Sequence, residues 1–290
     1  TGMKHFCVFV KRLGPGGSIC FCLLYLSLFA HAATMMEEYY LPLPEDQWRT
    51  SFNTISPGTS MTMESISTLV IWGDGAILHY DHWEDSYELE IARPVQQSTE
   101  IWGDGNDGNG KPPGYASDPV GFSKGAVIVL WNQVSLPRDV SILYDGRDRI
   151  ASTRPLSVSR AGWATIPGSR VAGAVNVSAI RDYGLRFVCP LGENVTTASG
   201  LFTYTGLLVM AQESATEVQI DLDGAGAGEA IEIVLNRGES HLADGGILLG
   251  ATVEASQPVQ AHLITGKRDC YCYMTRSYTL YPEDQWTDGY

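Results

Sequence analysis

Helix-forming runs of Leu, Glu and Lys at 3.6-residue spacing are scarce in this 290-residue chain, which argues against a helical bundle and favours β structure. Positive charge is scarce too: 19 Lys and Arg face 33 Asp and Glu, for a formal net charge of −14. Such a surface repels nucleic acid and anionic lipid and suits a soluble protein or one that binds cations. The apolar run "ICFCLLYLSLFA" at 19–30 is short of the roughly 20 residues that span a bilayer. No G-x-S-x-G occurs, and no Cys or Ser stands in a recognisable relation to a His, so the motifs of nucleophilic hydrolases are missing. Neighbouring carboxylates such as Glu84 with Asp85, or Glu283 with Asp284, are too ordinary among 33 acids to indicate glycosidase chemistry.

What is present is a globular composition, 44% hydrophobic and 18% charged, with room for one large or two medium domains. Residues 1–33 differ in kind. Lys4, Lys11 and Arg12 precede the apolar run, and "AHA" follows it, the basic, apolar, small-residue order of a secretory signal peptide. Its removal would take away those three positive charges and no acid, moving the formal charge from −14 to −17. It would also take three of the six cysteines, leaving Cys189, Cys270 and Cys272. In an oxidising compartment we expect one bridge, from Cys189 to either member of the "CYC" pair, with the choice of partner open. A structural zinc site is the weaker reading, because no His or Cys at ligand spacing completes a set of four.

The 31 Gly and 14 Pro fall in turn-like clusters that bound short candidate strands: "TLVIW", "AILHYD", "STEIW", "AVIVLW", "VSILYD", "PLSVSR", "LLVMA", "EVQID", "IEIVL" and "PVQAHLI". This spacing predicts an all-β chain of sandwiches or barrels with no substantial helix. Trp72, Trp102 and Trp131 each end an apolar run and are expected in a sandwich core. "PEDQW" occurs at 44–48 and again at 282–286. Weaker similarities recur in the same order, "STLVIWGDGAILHYD" with "GLLVMAQESATEVQID" and "IASTRPLSVSRAG" with "VEASQPVQAHLITG". They suggest two tandem β-sandwich-like domains, 34–180 and 181–277, with 278–290 opening a following module.

Two stretches are dense in polar groups. "IWGDGNDGNG" (101–110) offers Asp104, Asn106 and Asp107 to a cation, but counting from Asp104 puts Gly108, Asn109 and Tyr115 where an EF-hand has a ligand, Gly and Glu. Calcium is therefore the minority reading and Asx turns the simpler one. "IDLDGAGAGE" (220–229) repeats the ambiguity. In "HYDHWED" (79–85) an extended chain would put His79, Asp81 and Trp83 on one face and Tyr80, His82 and Glu84 on the other. A transition metal there needs a third ligand that the sequence does not nominate, and an edge strand with solvated charges is the expectation. "NVS" at 176 and "NVT" at 194 are glycosylation sequons.

"YYLPLPEDQWRT", "YDHWEDSYE", "IWGDGNDGNGKPPG", "DGRDRIASTRPLSVSRAGW" and "RSYTLYPEDQW" resemble the N-terminal region of large bacterial secreted or surface proteins. From about 200 to 290 the chain is similar to the N-terminal domain type named after the IgG-Fc-binding protein. The resemblance implies an extracellular β-sandwich module in a long adhesive or structural surface protein, and it carries no catalytic motif. The "CYC" departs from the simpler "LLTG" to "YTLYP" connection of that pattern.

The expected protein is secreted or displayed at the cell surface, non-enzymatic and without a required cofactor. It would bind an extracellular protein or glycan, not nucleic acid, with no membrane insertion of the mature chain. A carbohydrate-binding module attached to a catalytic domain and an enzyme centred on 79–85 are the alternatives. Signal cleavage is expected between Ala32 and Ala33; N-terminal sequencing of secreted material that still begins near Met3 would refute it.

Overall fold

The computed structural model describes residues 36–58, 62–165, 171–197, 199–226, 230–268 and 275–286. The expected signal peptide, Cys270 and Cys272 lie outside them. The described residues are nearly all β, in antiparallel sheets, and belong to one compact unit. Among them, no helix is long and apolar enough to cross a membrane.

The first sheet runs β1 (Glu37–Tyr40), β6 (Arg149–Ser152), β3 (Leu78–Asp81), β4 (Glu100–Trp102). The second runs β5 (Val127–Ser135), β2 (Thr62–Ile71), β7 (Leu156–Ala164), β8 (Ala172–Val177). Strict alternation aims Leu69 and Ile71 of β2, Ile128 and Leu130 of β5, and Val158 of β7 inward. There they meet Tyr80, Trp102 and Ile150 of the first sheet and close a sandwich core.

The third sheet is organised by β14 (Thr252–Gly266). Its first half pairs with β9 (Gly184–Val188) and β11 (Thr216–Asp221), its second half with β10 (Tyr204–Ala211) and β15 (Arg276–Thr279). A shift of register between Glu254 and Val259 lets one strand serve both sets of partners. β12 (Ala230–Leu235) extends from β11, and β13 (Ser240–Ala243) from β10. Every residue of β10 is buried, which is why "LLVMA" reads as a continuous apolar run and not as an alternation. The weak internal repeat is not matched strand for strand: β2 and β3 belong to different sheets, whereas β10 and β11, their counterparts in sequence, both pair with β14.

Three expectations require correction. A helix, α1, spans Glu45–Ile55. Pro44 caps it, Glu45 and Asp46 lie in its first turn, where acids favour the positive end of the helix dipole, and Trp48, Phe52 and Ile55 sit on its buried face. Burial of side chains this size contributes about 1.5–3 kcal/mol each. They join Met63 and Val134 of the second sheet and Leu208, Met210 and Ile264 of the third in one cluster, so this core draws on both sides of residue 180. Second, "VSILYD" is a loop: Val140 and Ile142 are exposed. The loop is held by side chains instead of a ladder, with Asn132 Nδ2 donating to the Tyr144 carbonyl and Ser141 N to Asp139 Oδ1. Third, only Trp102 of the three tryptophans is in the core; Trp72 and Trp131 are 59% and 58% exposed.

The two copies of "PEDQW" share a local conformation. Each follows a strand, its proline is extended (Pro44 at φ −58, ψ 146; Pro282 at φ −63, ψ 152), and a helical turn begins at the next Glu. In the first copy the turn grows into α1; in the second it stops as a 3-10 turn, Glu283–Gln285. β15 borrows an edge of β14, Leu280 N donates to the Ala261 carbonyl at 2.9 Å, and the Leu280 side chain is buried in the third sheet's core. Leu280→Ala should therefore cost about 2–3 kcal/mol in denaturant unfolding. A loss below about 0.5 kcal/mol, the level of a peripheral surface change, would mean that the segment adds nothing to this fold.

Candidate functional site

β3 is an interior strand, between β6 and β4, and the charges of "HYDHWED" are mostly buried, not solvated at an edge as expected. The predicted alternation holds through His82. On one face His79 Nδ1 lies 2.6 Å from the Ile91 carbonyl, and Asp81 Oδ2 accepts from Glu88 N at 3.0 Å. On the other, Tyr80 donates its hydroxyl to Asp148 Oδ2 at 2.7 Å, and His82 Nδ1 is 2.9 Å from the Leu143 carbonyl and 3.4 Å from Asp148 Oδ2. The chain then leaves the strand. Trp83 donates its backbone N–H to Asp148 Oδ1 at 3.2 Å and its indole N–H to Asp145 Oδ1 at 3.3 Å.

The partner of "HYDHWED" is thus "DGRDR" (145–149), the segment that enters β6. Arg138 Nη2 bridges Glu84 Oε1, at 2.6 Å, and Asp145 Oδ2. The guanidinium groups of Arg138 and Arg147 lie 4.3 and 4.8 Å from the centre of the Trp83 ring. Glu45, from the first "PEDQW", accepts from Gly146 N at 3.2 Å and pairs with Arg160 at 2.5 Å, both side chains being fully buried. Tyr80, Trp102, Tyr144 and His82 pack ring to ring beside these charges.

Acids outnumber bases here, and the electrostatics reflect it. Burial, reinforced by the charge of Asp148, pushes Glu84 up to about 7; burial, with Glu45 and Asp148 nearby, pushes Asp145 up to about 9. For His82 burial acts downward, but its contacts with Asp148 and Glu100 outweigh it and raise the imidazole to about 10. Glu45 ends below the usual range because the charge of Arg160 outweighs its burial.

His82, Glu84 and Asp148 are the described residues whose ligand atoms converge as a potential metal set, all within 4.8 Å of one another. Sequence reasoning singled out the first two and missed Asp148, 64 positions further on; the run "DGRDR" marks a charged turn but gives no sign of what it faces.

In the loop 101–110 the three candidate residues all accept hydrogen bonds, whereas the buried Asn109 Oδ1 accepts none. Asp104 accepts from Asn106 N and Asn109 Nδ2, Asn106 Oδ1 from Gly108 N, and Asp107 Oδ1 from Asp118 N. The bonds from Asn106 N and Gly108 N are Asx turns. The organiser is Asp118, which sequence reasoning did not name: its buried carboxylate accepts from Gly103 N and Gly105 N at 2.7–3.0 Å. Both glycines have positive φ, and a Cβ on Gly103 would lie 2.7 Å from the Ala76 carbonyl oxygen. Asp221 and Asp223 form a second such turn with the amides of 223–226. Cys189 is a buried thiol in the third sheet's core, pushed up to about 12 by burial.

A different kind of surface lies on the second sheet, on the face turned away from the core. Trp131, Ile66, Ala161 and Ala174 stand opposite one another across β5, β2, β7 and β8 in a single row. Val127 and Val129 continue it along β5, both more than 40% exposed, and Trp163 flanks it on β7. No known protein family, curated protein or solved structure matches the chain.

The Glu45–Arg160 pair gives a direct test of how much the fold relies on the buried charges. Arg160→Ala should lower unfolding stability by about 3–5 kcal/mol, because it strands a buried carboxylate, whereas Glu45→Leu with Arg160→Met should lose much less. Equal losses in the single and double variants would show that packing, not charge, is at stake.

Proposed function

We propose that the chain is a non-enzymatic extracellular module of a larger cell-surface or matrix protein and works by adhesion. The open apolar face of the second sheet carries this reading. A contiguous stripe of the exposed Trp131, Val127 and Val129 beside the half-buried Ile66, in a strongly acidic chain, is the kind of surface that marks an interaction site, with tryptophan a favoured anchor. The resemblance of 39–290 to the N-terminal regions of bacterial surface proteins supports secretion and display. The burial of the side chains of 79–84 in internal hydrogen bonds and ion pairs supports a structural role for that segment, and an extracellular protein is the favoured partner. Trp131 and Trp163 on one open face favour, as second reading, a carbohydrate-binding module, since flat indoles suit sugar rings.

The test is an array of extracellular proteins and glycans probed with the full chain and with Trp131→Ala. The variant should lose at least tenfold in affinity, about 1.4 kcal/mol, for whatever the wild type binds, at an unchanged melting temperature. Binding to glycans alone would select the second reading. Full-strength binding by the variant, or no binding by the wild type, would remove the face as the basis of the proposal.

A further inference from the structure

We propose that His82, Glu84 and Asp148 bind one divalent cation of the zinc class, through an imidazole nitrogen and two carboxylate oxygens. Zinc bonds of about 2.1 Å place tetrahedral ligands about 3.4 Å apart, so atoms already within 4.8 Å need only a short contraction to share an ion. The independent sign is Glu84 Oε2. The Glu84 side chain is 2% exposed, its Oε1 is held by Arg138, and Oε2 accepts no hydrogen bond. A buried carboxylate oxygen without a partner is costly, and a cation is the strongest partner it could take.

The surroundings fit a metal centre. Asp148 Oδ1 accepts one hydrogen bond, from Trp83 N, and keeps a lone pair, while Tyr80 and Asp145 N fix Oδ2. His82 Nδ1 lies 3.4 Å from Asp148 Oδ2 and 2.9 Å from the Leu143 carbonyl, and Nε2 lies 3.8 Å from Glu100 Oε1, so the ring is held between these groups. One nitrogen among oxygens selects zinc or a similar transition ion over calcium, which takes six to eight oxygens. Arg138 and Leu143, which touch the cluster, also line a surface cavity of about 190 Å³. The ion would tie the end of β3 to the start of β6, and the site is separate from both the Asp104 loop and the exposed sheet face.

The full chain, stripped with chelator, is dialysed against zinc chloride and its metal content and melting temperature are measured. We expect one zinc per chain and a higher melting temperature. Glu84→Gln should bind at least tenfold more weakly, and Asp104→Ala with Asp107→Ala should bind as the wild type does. No stoichiometric uptake, equal uptake by Glu84→Gln, or uptake lost in the Asp104/Asp107 variant would each overturn the assignment. Melting of the metal-free chains tells whether Glu84→Gln folds. If it does not, cobalt(II) bound to the wild type decides: visible bands of nitrogen and oxygen ligation support the site, and no bands, or a thiolate charge-transfer band, refute it.

Discussion

Taking carboxylates out of water requires that something replace the water, and this requirement governs the centre of the molecule. Glu45, Asp81, Asp145 and Asp148 are all buried, and each must find donors within the protein. Arg160 meets Glu45, Arg138 meets Asp145 and Glu84, and backbone amides, Tyr80 and His82 meet Asp148. Because these groups come from α1, the end of β3, the approach to β6 and the middle of β7, satisfying them fixes four chain segments at once. Apolar burial drives the sheets together, but any pair of apolar faces would do; the matched charges accept few alternatives.

The balance is incomplete at several points, Glu84 Oε2 among them. Burial raises Glu84 and Asp145, and Glu84 Oε2 has no hydrogen-bond partner. A structural cation would give that buried oxygen a partner. The proposed binding face, by contrast, is the outer face of a sheet, where the exposed Trp131 and the half-buried Ile66 stand opposite each other on adjacent strands. On the proposed reading, rigidity and recognition fall to different parts of the fold, as is common where a stable scaffold carries an exposed binding face.

α1 has its own role in this arrangement. It enters from an extended proline, lays Trp48 and Phe52 into a core formed by strands from both ends of the sequence, and presents Glu45 to Arg160. Gly162 and Gly173 border Trp48 so closely that a Cβ at either would lie 2.5–3.0 Å from the indole, so the ring lies against bare backbone. The second "PEDQW" repeats the entry geometry without this receiving site, and its Trp286 stays 55% exposed. The same five residues therefore yield an 11-residue helix or a single turn, depending on what they pack against.

The sequence by itself determined the all-β class, because alternation and apolar runs bounded by Gly and Asp are local properties. It also determined the Asx turns at 104–109, which depend on neighbours within a few residues, and the two faces of "HYDHWED" as far as His82. Tertiary structure decided the rest. "VSILYD" has strand composition, yet its hydrogen-bonding groups are claimed by Asn132 and His82, and no ladder forms. Trp72, Trp102 and Trp131 close similar apolar runs, and only the stacking of the sheets determined that Trp102 would be buried and the other two exposed. The identity of Asp148 as the third group beside His82 and Glu84 was equally hidden, since pairing of β3 with β6 brings together residues 64 or more positions apart, and a distance of that kind leaves no mark on local pattern.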